Sequence, residues 1–326
     1  MATIEDVKFI ELPKFLDARG NLSFAEQLNH IPFEVKRTYW IYDVPGGEAR
    51  GGHAFKRNRE FIVALSGAFE VVVDDGRDKK SFTLNRSYYG LYVPAGLWRT
   101  IENFSTNSLA LEFGSEHFDE EDYIREYDEY RRNREGQVPG FKFGSADVAL
   151  ARDSEQVPSP LALRNVQVSS SKSENSNSEP LTMNQEPKKF NVFDCTMVEL
   201  DRHHSDRLGN LSVVENGQTL PFDVKRVYYL YDVPGGENRG SHAHKELSQL
   251  IIAASGSFTV TLDDGKCKRS FFLNRPYQGL YVKPGMWRDL EDFSSGAVCM
   301  VLASDVYLKE DYIRDYQEFM EFRGKS

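Results

Sequence analysis

The chain has 326 residues, enough for two domains that each bury a core. Its 50 acidic against 40 basic residues leave a formal net charge of −10, which repels phosphate backbones and argues against nucleic acid as a partner, although a few local arginines still allow a compact anionic ligand. No apolar run is long enough to cross a bilayer, residues 1–6 are no secretory leader, and three cysteines without a Cys-x-x-Cys pair (Cys195, Cys267, Cys299) read as reduced thiols, so a cytoplasmic location without a membrane partner is expected.

In chain order, residues 4–12 alternate weakly and predict a first strand. Asp17-Ala18-Arg19-Gly20-Asn21 predicts a turn, because Gly and Asn tolerate positive φ, and Leu22 to Glu26 a second strand. Val35 to Tyr42 is rich in β-branched and aromatic residues and predicts a third, broken by Pro45-Gly46-Gly47. Short strands follow at 61–65, 69–73, 81–84, 90–93 and 109–113, with Asp74-Asp75-Gly76 as a hairpin signal. Asp119 to Asp122 then predicts the start of a helix carrying Tyr123, Ile124, Tyr127 and Tyr130, an aromatic stripe expected to dock the helix rather than to meet a ligand. Residues 135–188, with the tract Ser169 to Pro180, are too poor in apolar residues to bury a core and read as a flexible linker. After it the pattern repeats at an offset of 189 residues: Arg37 aligns with Arg226, His53 with His242, Trp98 with Trp287 and Tyr123 with Tyr312. Many short strands with regular turns predict an all-β fold of two barrels in tandem, each followed by a short helix, in domains 1–134 and 189–326.

The copies differ at their most chemical stretch. His242-Ala243-His244 in the second is His53-Ala54-Phe55 in the first. Two histidines two apart on a strand share a face, which serves either a metal or acid–base work. A metal needs further ligands. Here Glu246 is the nearest acid, and the later loop offers the cation Arg288, which repels a metal ion. Acid–base chemistry is the better fit: a neutral imidazole moves a proton, Tyr228 hydrogen-bonds a substrate oxygen, and Arg239 and Arg288 hold a pyrophosphate or an enolate. The first copy keeps Tyr39, Arg50, His53 and Arg99, and Arg37 repeats as Arg226. Each of these residues has a bland alternative, since strand tyrosines usually pack and arginines usually meet solvent.

Arg19 to Ser23, Pro221 to Tyr229, Tyr231 to Glu237, Arg239 to Lys245 and Tyr312 to Tyr316 resemble the nucleotide-sugar 3,4-ketoisomerases of the cupin superfamily, across everything but the linker. The resemblance implies jelly-roll barrels that use no metal or cofactor and pair as dimers with exchanged N-terminal strands. It implies conversion of dTDP-4-keto-6-deoxyglucose to a 3-keto sugar, on the way to 3-amino-3,6-dideoxysugars of surface polysaccharides or glycosylated natural products. By resemblance, His242 is the base between C3 and C4, with His244 and Tyr228 as partners and His53 and Tyr39 as their first-copy counterparts. Arg226, Arg239, Arg288, Arg37, Arg50 and Arg99 are the expected substrate-binding residues. Leu208 in the second copy's turn, taken with Arg288, points to the gluco product. The two copies are expected to form an intrachain pseudo-dimer. An epimerase of 4-keto sugars, and a first barrel that is only a structural or binding module, are the alternatives.

Overall fold

A computed structural model describes residues 1–136, 143 and 189–324; the Ser-rich tract lies outside the described residues. The architecture is all-β, with four sheets in two halves and one α-helix closing each half, Tyr127–Arg134 and Tyr316–Phe322. In the first half a five-stranded sheet runs Tyr123–Ile124, Arg50–Phe55, Trp98–Glu102, Phe69–Asp74, Lys79–Leu84. It faces Lys8–Glu11, Tyr89–Val93, Glu60–Ser66, Leu109–Gly114 and Arg37–Tyr42. The second half repeats this order.

The halves exchange strands. Arg37–Tyr42 pairs with Gly209–Glu215 of the second half, and Arg226–Tyr231 pairs with Asn21–Glu26 of the first, so each long sheet has seven strands drawn from both halves. The sequence shows why. All six residues of Arg37–Tyr42 are buried, which a strand achieves only when sheet neighbours and both faces are covered. A shared core results, holding Trp40, Phe61 and Tyr92 of the first half against Tyr229, Tyr231 and Tyr281 of the second. Trp40 is fully buried and its Nε1 donates to the Pro276 carbonyl at 2.9 Å. The reciprocal bond runs from the Tyr229 hydroxyl to the Ser87 carbonyl. Burying one such aromatic removes roughly 200 Å² from water and stabilises on the order of 5 kcal/mol. Smaller cores lie between the two sheets of each half, around Val71 and Leu91 in the first and Val260 and Leu280 in the second.

Three expectations change. Residues 4–6 form a 3-10 turn before the strand Lys8–Glu11, because the Asp6 carboxylate accepts the Thr3 N–H. The predicted helix at Asp119 is instead a 3-10 turn, Glu120–Asp122, then the short strand Tyr123–Ile124. The Asp122 carboxylate accepts the backbone N–H groups of Arg57 and Asn58 at 2.7 and 3.1 Å, so the segment is held along the edge of Arg50–Phe55. The turn Asp17 to Asn21 crosses to the other half: a Cβ on Gly20, at φ +114°, would stand 2.8 Å from the Val233 side chain.

Candidate active site

The strand Arg239–His244 positions both histidines. Gly240 and Ser241 have positive φ, and a bulge against Trp287–Glu291 falls between Gly240 and His242. A bulge of this kind re-aims the side chains beyond it. The His242 and His244 rings stand 5.1 Å apart and share one partner: Arg288 Nη2 lies 2.5 Å from His242 Nε2 and 2.7 Å from His244 Nε2. A guanidinium only donates, so both Nε2 atoms present lone pairs. Both Nδ1 atoms therefore carry the proton: that of His242 donates to the Gly240 carbonyl at 2.9 Å and that of His244 to Asp311 Oδ2 at 2.7 Å. Burial, and then the Arg288 cation, hold both imidazoles well below their ordinary range, so His244 stays neutral even beside the Asp311 carboxylate.

Tyr228 completes the group. Its hydroxyl accepts from Gln249 Nε2 at 3.0 Å and from Arg288 at 3.4 Å, and burial pushes its pKa up, so it stays a protonated donor. His242, Tyr228 and Arg288 line a cavity of about 480 Å³; His244, only 2% exposed, sits behind Arg288 and does not. Arg226 and Arg239 also reach the cavity. Arg226 is buried with Nε and Nη2 unpartnered and its Nη1 3.9 Å from Glu26 Oε1. Arg239 donates to the Gly20 carbonyl at 3.2 Å.

The exchanged segment supplies residues that sequence reasoning assigned elsewhere or missed. Phe15, Asp17, Arg19 and Phe24 of the first half line the second half's cavity. Arg19 pairs with Asp17 at 2.8 Å, and Phe15 stacks on Phe24 with centroids 6.1 Å apart. Leu208 is not part of this cavity: its turn packs on the first half, where a Cβ on Gly209 would meet the Asp43 carbonyl at 2.7 Å. The product expectation built on Leu208 falls with it. Tyr312, the counterpart of Tyr123 in the expected docking stripe, lines the cavity with its ring 5.1 Å from that of His242.

The first half keeps the scaffold and changes the chemistry. Arg37 and Tyr39 line a cavity of about 780 Å³, but His53, Arg50 and Arg99 do not. His53 Nε2 is buried without a partner, and burial, then Arg99, hold that imidazole down at about 3. Arg99 is bound by carboxylates: Nε and Nη2 donate to Glu60 at 2.8 and 2.5 Å, and Nη2 to Glu112 at 2.9 Å. Burial would raise the Glu60 pKa, but Arg99 outweighs it and holds it down. Burial, with Glu60 beside it, raises Glu112. The Tyr39 hydroxyl lies 2.7 Å from Glu60 and 2.8 Å from Glu112.

The WxcM-like, C-terminal (FdtA) family model matches residues 5–135 and again 193–324. The chain belongs to that family. It does so twice over. The TDP-4-oxo-6-deoxy-alpha-D-glucose-3,4-oxoisomerase of Aneurinibacillus thermoaerophilus is 47% identical over 120 residues, 37% of this chain and 86% of that protein. Among solved structures, a 3,4-ketoisomerase from Helicobacter canadensis is 43% identical, covering 40% of this chain and 98% of that one at a TM-score of 0.39. A TDP-quinovose 3,4-ketoisomerase from Campylobacter jejuni is 44% identical, covering 40% and 99% at 0.38. This family member is thus a tandem sugar-nucleotide 3,4-ketoisomerase.

Proposed function

We propose that the second half isomerises dTDP-4-keto-6-deoxyglucose to a dTDP-3-keto-6-deoxyhexose, with His242 as the base. The observation that carries this is the His242 Nε2 lone pair facing Arg288, which also reaches the Tyr228 hydroxyl, on the wall of an arginine-lined cavity. The 4-keto group acidifies the C3 proton. His242 Nε2 takes that proton, breaking the C3–H bond, and the electron pair moves onto the C4 oxygen as an enediolate. Arg288, displaced from His242 by the sugar, and Tyr228 donate to that oxygen where charge develops. The imidazolium, exchanging with solvent, delivers a proton to the C4 carbon while the C3 hydroxyl proton passes to the C4 oxygen, so the ketone forms at C3, C4 carries a hydroxyl and His242 is neutral again. His244 acts as a positioning residue: held by Asp311, it fixes the Arg288 fork. Arg226, Arg239 and Arg19 surround the pyrophosphate. A metal has no place in this reading, because Arg288 already occupies the point on which both Nε2 atoms converge. The exchanged strands serve as the intrachain counterpart of a dimer interface, and the 3-keto product is suited to amination at C3.

A proton NMR time course in D₂O with dTDP-4-keto-6-deoxyglucose tests the reading. The intact chain is expected to give a 3-keto sugar deuterated at C4. His242→Asn is expected to lose on the order of 10²–10⁴-fold in rate, the share of a positioned acid–base group. His53→Asn is expected to leave turnover intact. Substantial turnover by His242→Asn would sink its role as base. Deuterium at C3 or C5 with the ketone still at C4 would mean an epimerase.

A further inference from the structure

The first half retains the arginines of the site almost one for one: Arg37, Arg50, Arg99 and Arg125 stand where the second half has Arg226, Arg239, Arg288 and Arg314. What differs is the partners of Arg99 and Arg125; in the other two pairs it is the second-half arginines that lie near a carboxylate, Arg226 at 3.9 Å from Glu26 and Arg239 at 3.6 Å from Asp17. Glu60 and Glu112, which bind Arg99, take the places of Gln249 and Val301. Glu120, which binds Arg125 through two bonds of 2.8 and 3.0 Å, takes the place of Lys309. Arg288 by contrast meets only neutral acceptors in Tyr228, His242 and His244, and Arg314 carries no ion pair among the described residues. Arg19, brought to the second half's cavity by the exchange, has Leu208 as its counterpart.

We propose that the first half is a copy of the site closed to pyrophosphate-bearing ligands by its own carboxylates, with Glu60, Glu112 and Glu120 as the specificity-determining residues, so that each chain has one sugar-nucleotide site. Physically, an arginine that recognises a phosphate must offer N–H donors not already committed to anions. Arg99 offers none on Nε or Nη2: burial makes its carboxylate bonds strong, and breaking them would strand buried charge. A diphosphate entering this half would also approach Glu199, Asp201 and Glu215 beside Arg37 on the cavity wall, whereas Arg19, Arg226, Arg239, Arg288 and Arg314 line the other beside Asp17. Phe55 and the buried His53 Nε2 close the chemistry as the carboxylates close the binding. The first half still serves the reaction, by lending Asp17 and Arg19 to the second.

This inference rests on reading the second half as a sugar-nucleotide site. Isothermal titration of the full chain with dTDP separates the two. One dTDP per chain is expected, bound roughly tenfold or more weakly by Arg314→Ala, the loss of a charge-assisted contact, and unchanged by Arg125→Ala. The triple variant Glu60→Gln, Glu112→Val, Glu120→Lys is expected to bind two, its integrity checked by retained turnover. Two dTDP per intact chain would overturn the inference alone, whereas one that survives Arg314→Ala and is lost in Arg37→Ala would overturn it together with the second-half reading. No binding at all would overturn the sugar-nucleotide reading and this inference with it. A triple variant that folds yet binds only one would clear the carboxylates of the closing role. If it does not fold, the intact chain's stoichiometry decides.

Discussion

His53, His242 and His244 are all held neutral by burial and a neighbouring arginine, and that has a measurable cost. Unfolded, each takes up a proton below about pH 6.5; folded, it does not until much lower. Depressed pKa values of this sort stabilise the fold above pH 6.5 and withdraw that support as the pH falls, by about 1.4 kcal/mol per pH unit for each imidazole. Glu112, whose pKa is raised, works in the opposite sense, gaining its proton in the fold before the unfolded chain does. Three imidazoles against one carboxyl leave a net loss, to which the lowered His30 adds. Thermal midpoints are therefore expected to drop between pH 6.5 and 5, and a flat profile there would contradict neutral histidines. The residues themselves were legible: spacing alone put His242 and His244 on one face, and Arg288 was singled out as a cation where a ligand would be wanted. What no spacing shows is that Gln249 and Val301 keep Arg288 available while Glu60 and Glu112 take up Arg99, because strands distant in sequence bring them together.

At the scale of elements, the turn after Lys14–Phe15 does more than reverse the chain. It hands Asp17 and Arg19 to the opposite half's cavity, and Gly20 is the residue that permits the approach. Gly20→Ala is expected to cost about 1–3 kcal/mol in chemical denaturation, from positive φ and a methyl against Val233. Gly46→Ala, with nothing within 4 Å of its new methyl, is the neutral control. Equal midpoints for the two variants would mean the turn is not under this constraint. Strand content was readable where residues alternate or are β-branched, as in Arg37–Tyr42. It was unreadable in Arg50–Phe55, whose Arg-Gly-Gly opening carries no β signal and which is held by pairing with Trp98–Glu102.

For the whole molecule, reciprocal strand exchange covers within one chain the edges that separate subunits would have to cover between them. Sedimentation is expected to give the mass of one chain, and a mass of two would count against the intrachain arrangement. A chain cut once at a protease site placed in the Ser169 to Pro180 tract is expected to keep its halves together in gel filtration, because the shared core around Trp40 and Tyr229 remains. Arg19 of the first half and Arg226, Arg239, Arg288 and Arg314 of the second then stay around one cavity, and turnover with them.

Repetition, turn chemistry and the His-Ala-His motif are local properties, so the sequence by itself determined that this is a tandem all-β chain with acid–base residues concentrated in its second copy. Which turn serves which cavity was decided only by the tertiary structure. The offset between copies makes Leu208 the second copy's counterpart of Arg19, yet the exchange sends Arg19 to the second half's cavity, since a strand buried along its whole length must find its neighbour across the molecule. The inequality of two nearly identical arginine sets is tertiary as well. An arginine's availability depends on which carboxylates surround it, and Glu60 and Glu112 reach Arg99 from strands 39 and 13 residues away.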